Sequence, residues 1–477
     1  MGRTEMRRSP ASLALSALLT SLSIGCAPVG PNYARPQMPT PPAYRFVQEP
    51  SQAQSLADLP WWEVFDDVAL QSLIWEAVYN NLDVRTAAAR VEEARARAGV
   101  AKSFLYPQVD GVAGYGFRVA SSTAKDNGLG DDDDHTRQSG VIGLGLSWEI
   151  DLFGRIRREH EAALAIALAT EQGRRGVLVT LVADVASNYF LLRELDQQLE
   201  IARATLRIND DTVTYFRNRL EGGVSNRLEL DRIQANRANT AATIPQLENE
   251  IAVVENLLSL LLGRPPSSID RDGNPMELLP PAVPAGMPAS LLERRPDVVE
   301  AEQLLVAANA DIGAAKALFY PNISLSSFGG GLAGDVSKFL GGTGAIWSVS
   351  ASLLQPIYNA GRNKANLAAT QARFEQALAQ YQKAALNGYR EVADSLVTIQ
   401  KLAAIRTERE GGVTVLTDAA DLARSRYDSG LASYIEILTA DQDLFQQQLL
   451  LSQTRGAELR ARAEMYRALG GGWQQQP

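Results

Sequence analysis

Cysteine and histidine are almost absent from this sequence. Its 477 residues include one cysteine, Cys26, and two histidines, His135 and His160. A single cysteine excludes an intrachain disulfide, and so few cysteine and histidine side chains leave little material for a zinc site. Positive charge is also scarce, since the formal net charge is −9 and no basic patch stands out. Nucleic acid is therefore not an expected partner.

The motifs of common enzyme classes are missing as well. No glycine-rich phosphate loop follows a predicted strand, and no nucleophile-elbow motif occurs. The four consecutive acids 131–134 lack the spaced ligands and the turn glycine of an EF-hand loop, and they predict an extracellular loop instead. We therefore expect no enzyme activity, no catalytic residues, no cofactor and no bound metal.

Long hydrophobic runs are also lacking. Apart from the N-terminus, no uninterrupted apolar run is long enough to cross a membrane as a helix. If the chain crosses a membrane at all, it must do so with strands that close into a barrel.

The N-terminus has the features of an export signal. Residues 1–25 combine a basic start with an apolar stretch that is too short to span a membrane. Gly25 before Cys26 resembles a bacterial lipoprotein cleavage site, which makes Cys26 the predicted lipidated first residue. Ser23 stands where leucine is usual, so a plain secretory signal is the alternative. Ala27 is not the aspartate that retains such proteins in the inner membrane, and the resemblance therefore favours the outer membrane.

Two long segments of equal length dominate the remaining chain. Gly154 and Gly223 are 69 residues apart, as are Gly361 and Gly430. A helix cannot gain or lose a residue without rotating everything beyond it, whereas a loop tolerates such changes. Each segment would reach about 100 Å if it were helical throughout. We therefore predict two very long helices, each ending at a glycine turn.

The second long segment carries two adjacent apolar seams. The first contains Leu367, Phe374, Leu378, Tyr381, Ala385, Val392, Ile399 and Leu402, and the second contains Ala368, Ala372, Ala379, Leu386, Tyr389, Ala393, Leu396 and Ala403. One coiled-coil partner needs one seam, so two seams suit a helix with close neighbours on both sides, as in a closed tube of helices. A large bundle with a broad core face explains the same periodicity equally well.

Strands of period two precede the long helices. Apolar residues alternate with small or polar ones over 140–150 and 347–353, and partner strands near 108–119 and 322–332 alternate less cleanly. Apolar-out alternation over about ten residues is typical of outer-membrane barrel strands. Four strands cannot close a barrel, because about eight is the practical minimum. Either several chains share one barrel, or the strands form a soluble sheet packed on the helices.

The predicted organisation is therefore a pair of repeats. We expect a signal peptide at 1–25, a proline-rich tether at 26–60, a first repeat at 61–262, a connector at 263–292, a second repeat at 293–469 and a tail at 470–477. The first repeat opens with a helix at about 67–105, followed by a strand pair at about 108–150 and long helices over 155–262. The second has its strand pair at about 322–357 and its long helices over 362–469. Tyr189, Tyr215 and Tyr389 are predicted core residues.

Several ordered motifs connect this pattern to a known family. They are Val29-Gly30-Pro31-Asn32-Tyr33 after Cys26, the Leu-Glu-Arg-Arg-Pro-Asp run at 292–297, the Phe-Tyr-Pro at 319–321 and the terminal Ala-Leu-Gly-Gly-Gly-Trp at 468–473. Together the motifs resemble the TolC-type outer-membrane efflux lipoproteins of the OprM/NodT group, over essentially the whole mature chain.

The resemblance implies a fold, an assembly and a function. The fold would be mainly α with a membrane β part, in which long antiparallel helices form an α-helical barrel. Three chains would form a homotrimer with one twelve-stranded β-barrel in the outer membrane. A periplasmic adaptor and an inner-membrane RND transporter would deliver drugs or other toxic small molecules. A type I protein secretion duct is a second transport function, and a non-channel periplasmic structural lipoprotein is an alternative from another class.

The same resemblance suggests where such a channel closes. The helix turns at Gly223 and Gly430 would form the periplasmic tip, with Arg219, Arg424, Arg426 and Tyr427 beside them. The acidic gating positions of the family correspond to Glu436 and Thr439, so a threonine replaces the usual aspartate here. Asp441, Glu229 and Asp231 are candidates for the missing negative charge.

Overall fold

The structure is a computed structural model that describes residues 28–43, 45, 62, 65, 67–119, 136–271, 292–333 and 344–471. The predicted signal peptide, Cys26, the acidic loop 131–134, most of the connector 263–292 and the tail from 472 lie outside the described residues. The elements are α1 Val68–Asn80, α2 Leu82–Ser103, β1 Gln108–Val119, β2 Thr136–Ile150, α3 Arg155–Glu221, α4 Arg227–Leu261, α5 Pro296–Ala317, β3 Asn322–Ala333, β4 Ala345–Leu354, α6 Arg362–Asp428 and α7 Tyr434–Ala468. The predicted class, mainly helical with a few antiparallel strands, is confirmed.

Helices at corresponding places in the two halves have equal lengths. α2 and α5 both have 22 residues, α3 and α6 both have 67, and α4 and α7 both have 35. Three pairs of glycines with positive φ follow the same spacing of 207 residues, namely Gly154 with Gly361, Gly223 with Gly430, and Gly263 with Gly470. Each of these glycines lies directly before or shortly after a long helix, in a backbone conformation that residues with a Cβ rarely adopt.

The chain divides into two compact units. The first consists of residues 1–36, 91–169 and 301–380, and contains the sheet. Its helical core is built largely from alanine, with Ala94, Ala98 and Ala167 in one cluster and Ala162 and Ala307 in another. Small side chains allow helix axes to approach closely.

The second unit consists of residues 37–90, 170–300 and 381–477. Its main core joins large apolar side chains from α1, α3, α4 and α7, including Ile74, Phe190, Leu258 and Tyr466, all almost fully buried. Buried ion pairs lie beside this core. Arg460 of α7 donates to Glu194 of α3, and Arg406 of α6 donates to the fully buried Glu458 of α7.

The four strands form one antiparallel sheet in the order β1-β2-β3-β4. In its register Val109 lies opposite Leu146, Leu146 opposite Ser327, and Ser327 opposite Val349, so these residues share one face. We call this the apolar face; its larger members are Val109, Tyr115, Ile142, Leu144, Leu146, Trp148, Ile150, Ile323, Leu325, Trp347, Val349 and Leu353. The opposite face, the mixed face, carries the serines of the sheet other than Ser327. Within the described residues, β1 and β4 are the edge strands.

A predicted single helix over about 67–105 is wrong. The structure has two helices, because Asn81 adopts an extended conformation between them. Its side-chain amide donates to the carbonyl of Leu261, and its Oδ1 accepts from the backbone N–H groups of Asp83 and Val84. Asn81 thus caps the start of α2 and also satisfies the end of α4.

The second half of the chain has an equivalent junction between two helices, in which an arginine takes the place of the asparagine. Arg295 directly precedes α5, as Asn81 precedes α2, and its guanidinium donates to the carbonyl of Ala468 near the end of α7. The same side chain also pairs with Asp297 and with Glu391 of α6. This explains the arginine and aspartate of the Arg-Arg-Pro-Asp run, which fix the end of one helix against the start of another.

The tyrosine predictions have mixed outcomes. Tyr189 is fully buried and donates to Asp67 at 2.8 Å, and Tyr389 is also buried. The prediction for Tyr215 is wrong, because 52% of this residue is exposed. Its neighbour Phe216 faces the core instead, since adjacent residues of a helix point about 100° apart.

The two seams of α6 differ in burial within one chain. Tyr381, Ala385 and Val392 of the first seam are fully buried, whereas the second seam combines the buried Tyr389 with Leu386, which is 56% exposed. Helix α3 contains one window that is long and apolar enough to cross a membrane, but more than half of that window is buried within the chain. It therefore has the character of a core helix.

Residues 28–36 run along the helices of the first unit, and we call them the N-terminal strap. The N–H of Val29 donates to Phe153, and Pro28 packs so closely on Gly154 that a Cβ there would lie 2.5 Å from the proline Cβ. Arg158 donates to Asn32, and Asn309 of α5 donates to the Pro31 carbonyl. The strap thus contacts helices from both halves of the sequence.

Candidate gate at the two helix turns

The turns after α3 and α6 have the same backbone structure. The N–H of Val224 donates to Arg219 at 2.9 Å, and the N–H of Leu431 donates to Arg426 at 2.8 Å. Gly223 and Gly430 adopt positive φ angles of 74° and 71°. This is the Schellman arrangement, in which a left-handed glycine lets the chain satisfy the last helical carbonyls while it reverses. Both predicted turn glycines are therefore required by the backbone.

The helices after the turns begin with equivalent acidic residues. Asn226 caps α4 by accepting from the N–H of Glu229, and Ser433 occupies the same position before α7, without a side-chain cap bond. Glu229 and Glu436 are thus both third-position acids, where negative charge stabilises a helix N-terminus. The Glu229 carboxylate accepts from Ser225, whereas the Glu436 carboxylate lies 3.5 Å from Arg426.

Arg219 connects the two turns through aromatic side chains. Its guanidinium donates to the hydroxyl of Tyr427 at 2.7 Å, across 208 residues of sequence, and lies 5.8 Å from the centroid of that ring. A second hydroxyl, that of Tyr215, is 3.3 Å away. Such cation–π contacts stabilise by about 0.5–1 kcal/mol at exposed sites, so the bond to Tyr427 fixes one turn against the other.

A cluster of aromatic rings packs beside Tyr427. The rings of Phe216 and Tyr434 are 4.3 Å apart, and Tyr427 lies 5.7 Å from Tyr434. Burial raises the pKa of Tyr434 to about 12. Phe216 and Tyr434 were not among the gate residues predicted from the sequence, although both occupy helical positions near predicted gate residues.

Arg424 and Asp441 form the main ion pair of the site. The guanidinium donates to Asp441 at 2.6 Å and to Asp421 at 2.8 Å. Burial raises the pKa of Asp441, and the positive charge of Arg424 opposes that rise. Asp441 is therefore held by a partner and is not a free acid at the turn.

The remaining candidates are less connected. Thr439 is exposed, and Asp231 pairs with Arg227 of its own helix at 3.3 Å. The structure thus brings together Arg219 with Tyr427, Arg424 with Asp441 and Arg426 with Glu436. A cavity of 380 Å³ at the turns is lined by Tyr215, Phe216, Arg424, Tyr427, Tyr434 and Asp441, among others. Within the described residues no group of three or more acids, histidines or cysteines could hold a metal ion. The arrangement can hold helices together or release them.

Comparison with known proteins identifies close relatives. Residues 73–264 and 287–471 match the family model described as outer membrane efflux protein. The chain is 34% identical to the cation efflux system protein CusC of Escherichia coli O6:H1 over 456 residues, covering 94% of this chain and 96% of that protein. It is 33% identical to the toluene efflux pump outer membrane protein TtgC of Pseudomonas putida over 482 residues, covering 99% of this chain and 97% of that protein.

A solved structure is similar over nearly the same length. The outer-membrane channel OprN superposes with a TM-score of 0.83 at 30% identity, covering 94% of this chain and all of the OprN chain. The two chains therefore share one fold over almost their whole length.

Proposed function

Because this chain belongs to the outer membrane efflux protein family and is an outer-membrane efflux channel, we propose that three copies of it form one passive exit duct. Each chain contributes its four-stranded sheet to a twelve-stranded barrel and its long helices to a tube in the periplasm. Small toxic organic molecules leave through this duct. The protein provides a path and a gate, and the energy comes from a partner pump.

The sheet carries the main support for this assembly. Its apolar face is exposed in the single chain, where Leu144 is 62% exposed, Val349 65% and Leu353 66%. A water-exposed face of this kind is costly, whereas a lipid-facing barrel wall requires it. The edge strands β1 and β4 need backbone partners in lipid, and β4 of one chain with β1 of the next supplies them.

The helices support the same assembly. Each long helix has apolar residues beyond those buried by its own chain, such as Leu386 in α6 and Leu164 in α3. In a closed tube these side chains pack against the next copy. The interface of such a homotrimer repeats around a three-fold axis.

The N-terminal strap supports a lipid anchor at the level of the sheet. Pro28 packs on Gly154, four residues after the end of β2. Cys26 lies two positions before Pro28, and two steps of chain can span at most about 7 Å. Acyl chains on Cys26 would therefore enter the leaflet near that end of the strands. More than one acyl chain makes such an anchor stable.

The proposed partners are a periplasmic adaptor and an inner-membrane RND transporter. The adaptor would contact the helix turns, and the bonds of Arg219 with Tyr427 and of Arg424 with Asp441 would hold the duct closed until it docks. A ring of three Glu436 side chains at the turn would favour cations electrostatically, while Thr439 adds no charge.

A matched pair of variants at adjacent positions tests the proposed barrel. Val349 is on the apolar face and Ser350 is on the mixed face. An arginine on the lipid side costs about 2–4 kcal/mol at the bilayer midplane, and substitutions on the lumen side are tolerated. We expect Val349→Arg to abolish heat-modifiable trimers in outer-membrane fractions and to remove dye tolerance in a strain that has the partner pump. Ser350→Arg should retain both, and equal behaviour of the two variants would contradict the barrel.

A further inference from the structure

The mixed face of the sheet changes character along its length. Near the helices two of its rows are polar, with Ser147, Ser326 and Ser350 in one row and Glu149, Ser324 and Ser352 in the next, and Leu354 lies opposite Asn322 at the end of the sheet. The hydroxyls of Ser324 and Ser352 are 2.7 Å apart. A polar surface of this kind is typical of a water-filled lumen.

Beyond these rows the mixed face carries larger apolar side chains. Phe328 lies opposite Ser348 in the first row, Val112, Gly143, Gly330 and Ile346 form the second, and Val141 and Leu332 lie opposite each other in the third. We call Val112, Val141, Phe328, Leu332 and Ile346 the apolar collar. Asp110 lies in the row of Phe328, and the register places Ser139, Arg118 and Arg137 on the same face beyond the collar.

Glycines allow the collar side chains to lie flat on the sheet. A Cβ on Gly143 would lie 2.6 Å from the Phe328 ring, so the ring covers that glycine. Val141 covers Gly114 in the same way, with its Cγ1 3.3 Å from a Cβ placed there. The collar is therefore a continuous apolar layer against the wall.

The collar is nevertheless exposed in the single chain. Val112 and Ile346 are each 40% exposed, and Leu332 is 50% exposed. The described residues place no helix over it, and in the proposed barrel the opposite face of the same strands contacts lipid. Within the part of the chain that the structure describes, only the contents of the lumen are left to cover the collar.

We propose that the apolar collar is a selective lining that favours neutral or weakly charged aromatic and alkyl molecules over hydrated metal ions. This inference rests on the proposed function and adds a substrate class to it. An apolar solute that touches the collar removes apolar surface from water on both sides. A hydrated ion gains nothing from such a wall, and apolar pore segments oppose wetting. The cargo would thus resemble that named for the toluene relative rather than that named for the cation relative.

Introduced cysteines can test the lining, because Cys26 is the only native cysteine and is the predicted lipid attachment site. Ile346→Cys reports on the collar, Ser350→Cys on the polar rows and Val349→Cys on the apolar face. Each variant is treated in intact cells with neutral benzyl methanethiosulfonate and with its sulfonatoethyl and trimethylammonium-ethyl analogues. The measured quantity is the rate with the benzyl reagent divided by the mean rate with the two charged reagents. The unmodified chain gives the background.

We expect this ratio to be about tenfold higher at Ile346→Cys than at Ser350→Cys, since an aromatic contact with a desolvated apolar surface contributes about 0.5–1.5 kcal/mol and 1.4 kcal/mol is a factor of ten. Equal ratios at the two positions, with both reacting, would overturn the collar and leave the barrel intact. If the charged reagents modify Val349→Cys and spare Ser350→Cys, the proposed barrel itself fails.

Transport provides an independent measurement. With one pump and adaptor held constant, Phe328→Ser should slow export of the neutral dye N-phenyl-1-naphthylamine at least about threefold, since the aromatic contact it removes corresponds to a few-fold change in partition. Phe328→Leu should retain export, and the matched variant Ser326→Ala should leave it unchanged. Trimer amounts in the outer membrane are measured for each variant. Unchanged export by Phe328→Ser trimers would refute the collar.

Discussion

Gly456 of α7 packs directly against Glu194 of α3. The substitution Gly456→Ala tests how much this contact stabilises the second unit. A Cβ at position 456 would overlap Glu194 Oε2 and would lie 2.8 Å from the Glu194 Cβ. The first clash could be relieved by rotating the carboxylate. The second cannot, because Cβ is fixed to the backbone, so the two helices must separate or Glu194 must leave its pocket.

The expected cost comes from the interactions of Glu194. Its side chain is only 6% exposed, and it accepts from Arg460 and from Gln198. Removing one partner from a buried ion pair costs about 3–5 kcal/mol. Arg460 is 28% exposed and can regain water, which places the expected loss near the lower value, about 3 kcal/mol.

The assay is thermal dissociation of the purified trimer, followed by heat-modifiable electrophoresis and circular dichroism. The matched control is Gly411→Ala, since a Cβ at Gly411 of α6 meets nothing within 4 Å. Replacing an exposed helical glycine with alanine stabilises by about 0.5–1 kcal/mol. We therefore expect opposite shifts of the dissociation temperature for two chemically identical changes.

Two further measurements, a pH series and a double variant, distinguish a loss of the Glu194 interactions from a general loss of packing. Burial raises the pKa of Glu194, so the unmodified chain gains stability as the pH falls through that pKa towards the unfolded value. A Glu194 that Gly456→Ala displaces from its pocket loses this shift, and the stability difference between the two chains should therefore grow as the pH falls. When Glu194 is also replaced by alanine, the loss of stability caused by Gly456→Ala should nearly vanish. A deficit that keeps its size in both experiments would refute the role of Glu194.

At the joint before α5, Arg295→Ala should destabilise the trimer by about 1–3 kcal/mol and lower its dissociation temperature, since it leaves the buried Ala468 carbonyl without its donor and the partly exposed Asp297 and Glu391 without their partner. Lysine should not restore stability, because it lacks the planar fork. Gly313 of α5 packs against the N-terminal strap, and a Cβ there would lie 2.9 Å from the Val29 carbonyl. Gly313→Ala should therefore expose the strap to protease in purified trimers. A Gly99→Ala variant is the control, because nothing lies within 4 Å of a Cβ at Gly99; equal cleavage of the two variants would contradict the prediction. At the gate, burial raises the pKa of Asp441, so the ion pair with Arg424 is lost as the pH falls through that pKa. Channel conductance in planar bilayers should therefore rise on acidification. The Asp441→Asn variant lacks the ion pair at every pH and should show no such rise.

Much of the helical framework follows from the sequence, for a geometric reason. Equal spacing between glycines fixes equal helix lengths, and 67 residues in each of α3 and α6 agree with that spacing. The break at Asn81 was not predictable in the same way. Asparagine is only mildly unfavourable within a helix, and its capping role depends on the carbonyl of Leu261, 180 residues away.

Most contacts of the candidate site could not be predicted from the sequence. The bond between Arg219 and Tyr427 joins residues on different turns, and no local pattern predicts such a pair. The apolar collar left a partial signal, since the strands that contain Val112 and Phe328 alternate less cleanly than their partners. Its meaning required the register, which shows that these residues share a face with the serines.

The open edges of the sheet have a consequence for the cell. β1 and β4 end the sheet within the described residues, and each row of unpaired backbone groups would cost several kcal/mol per group in hydrocarbon. In the proposed trimer a solitary chain has no stable place in the bilayer, so subunits must choose their companions before or during insertion and cannot exchange afterwards. A cell that makes intact and defective chains in equal amounts would then own only about one wholly intact duct in eight. Mutations that spare assembly but block passage should therefore be genetically dominant.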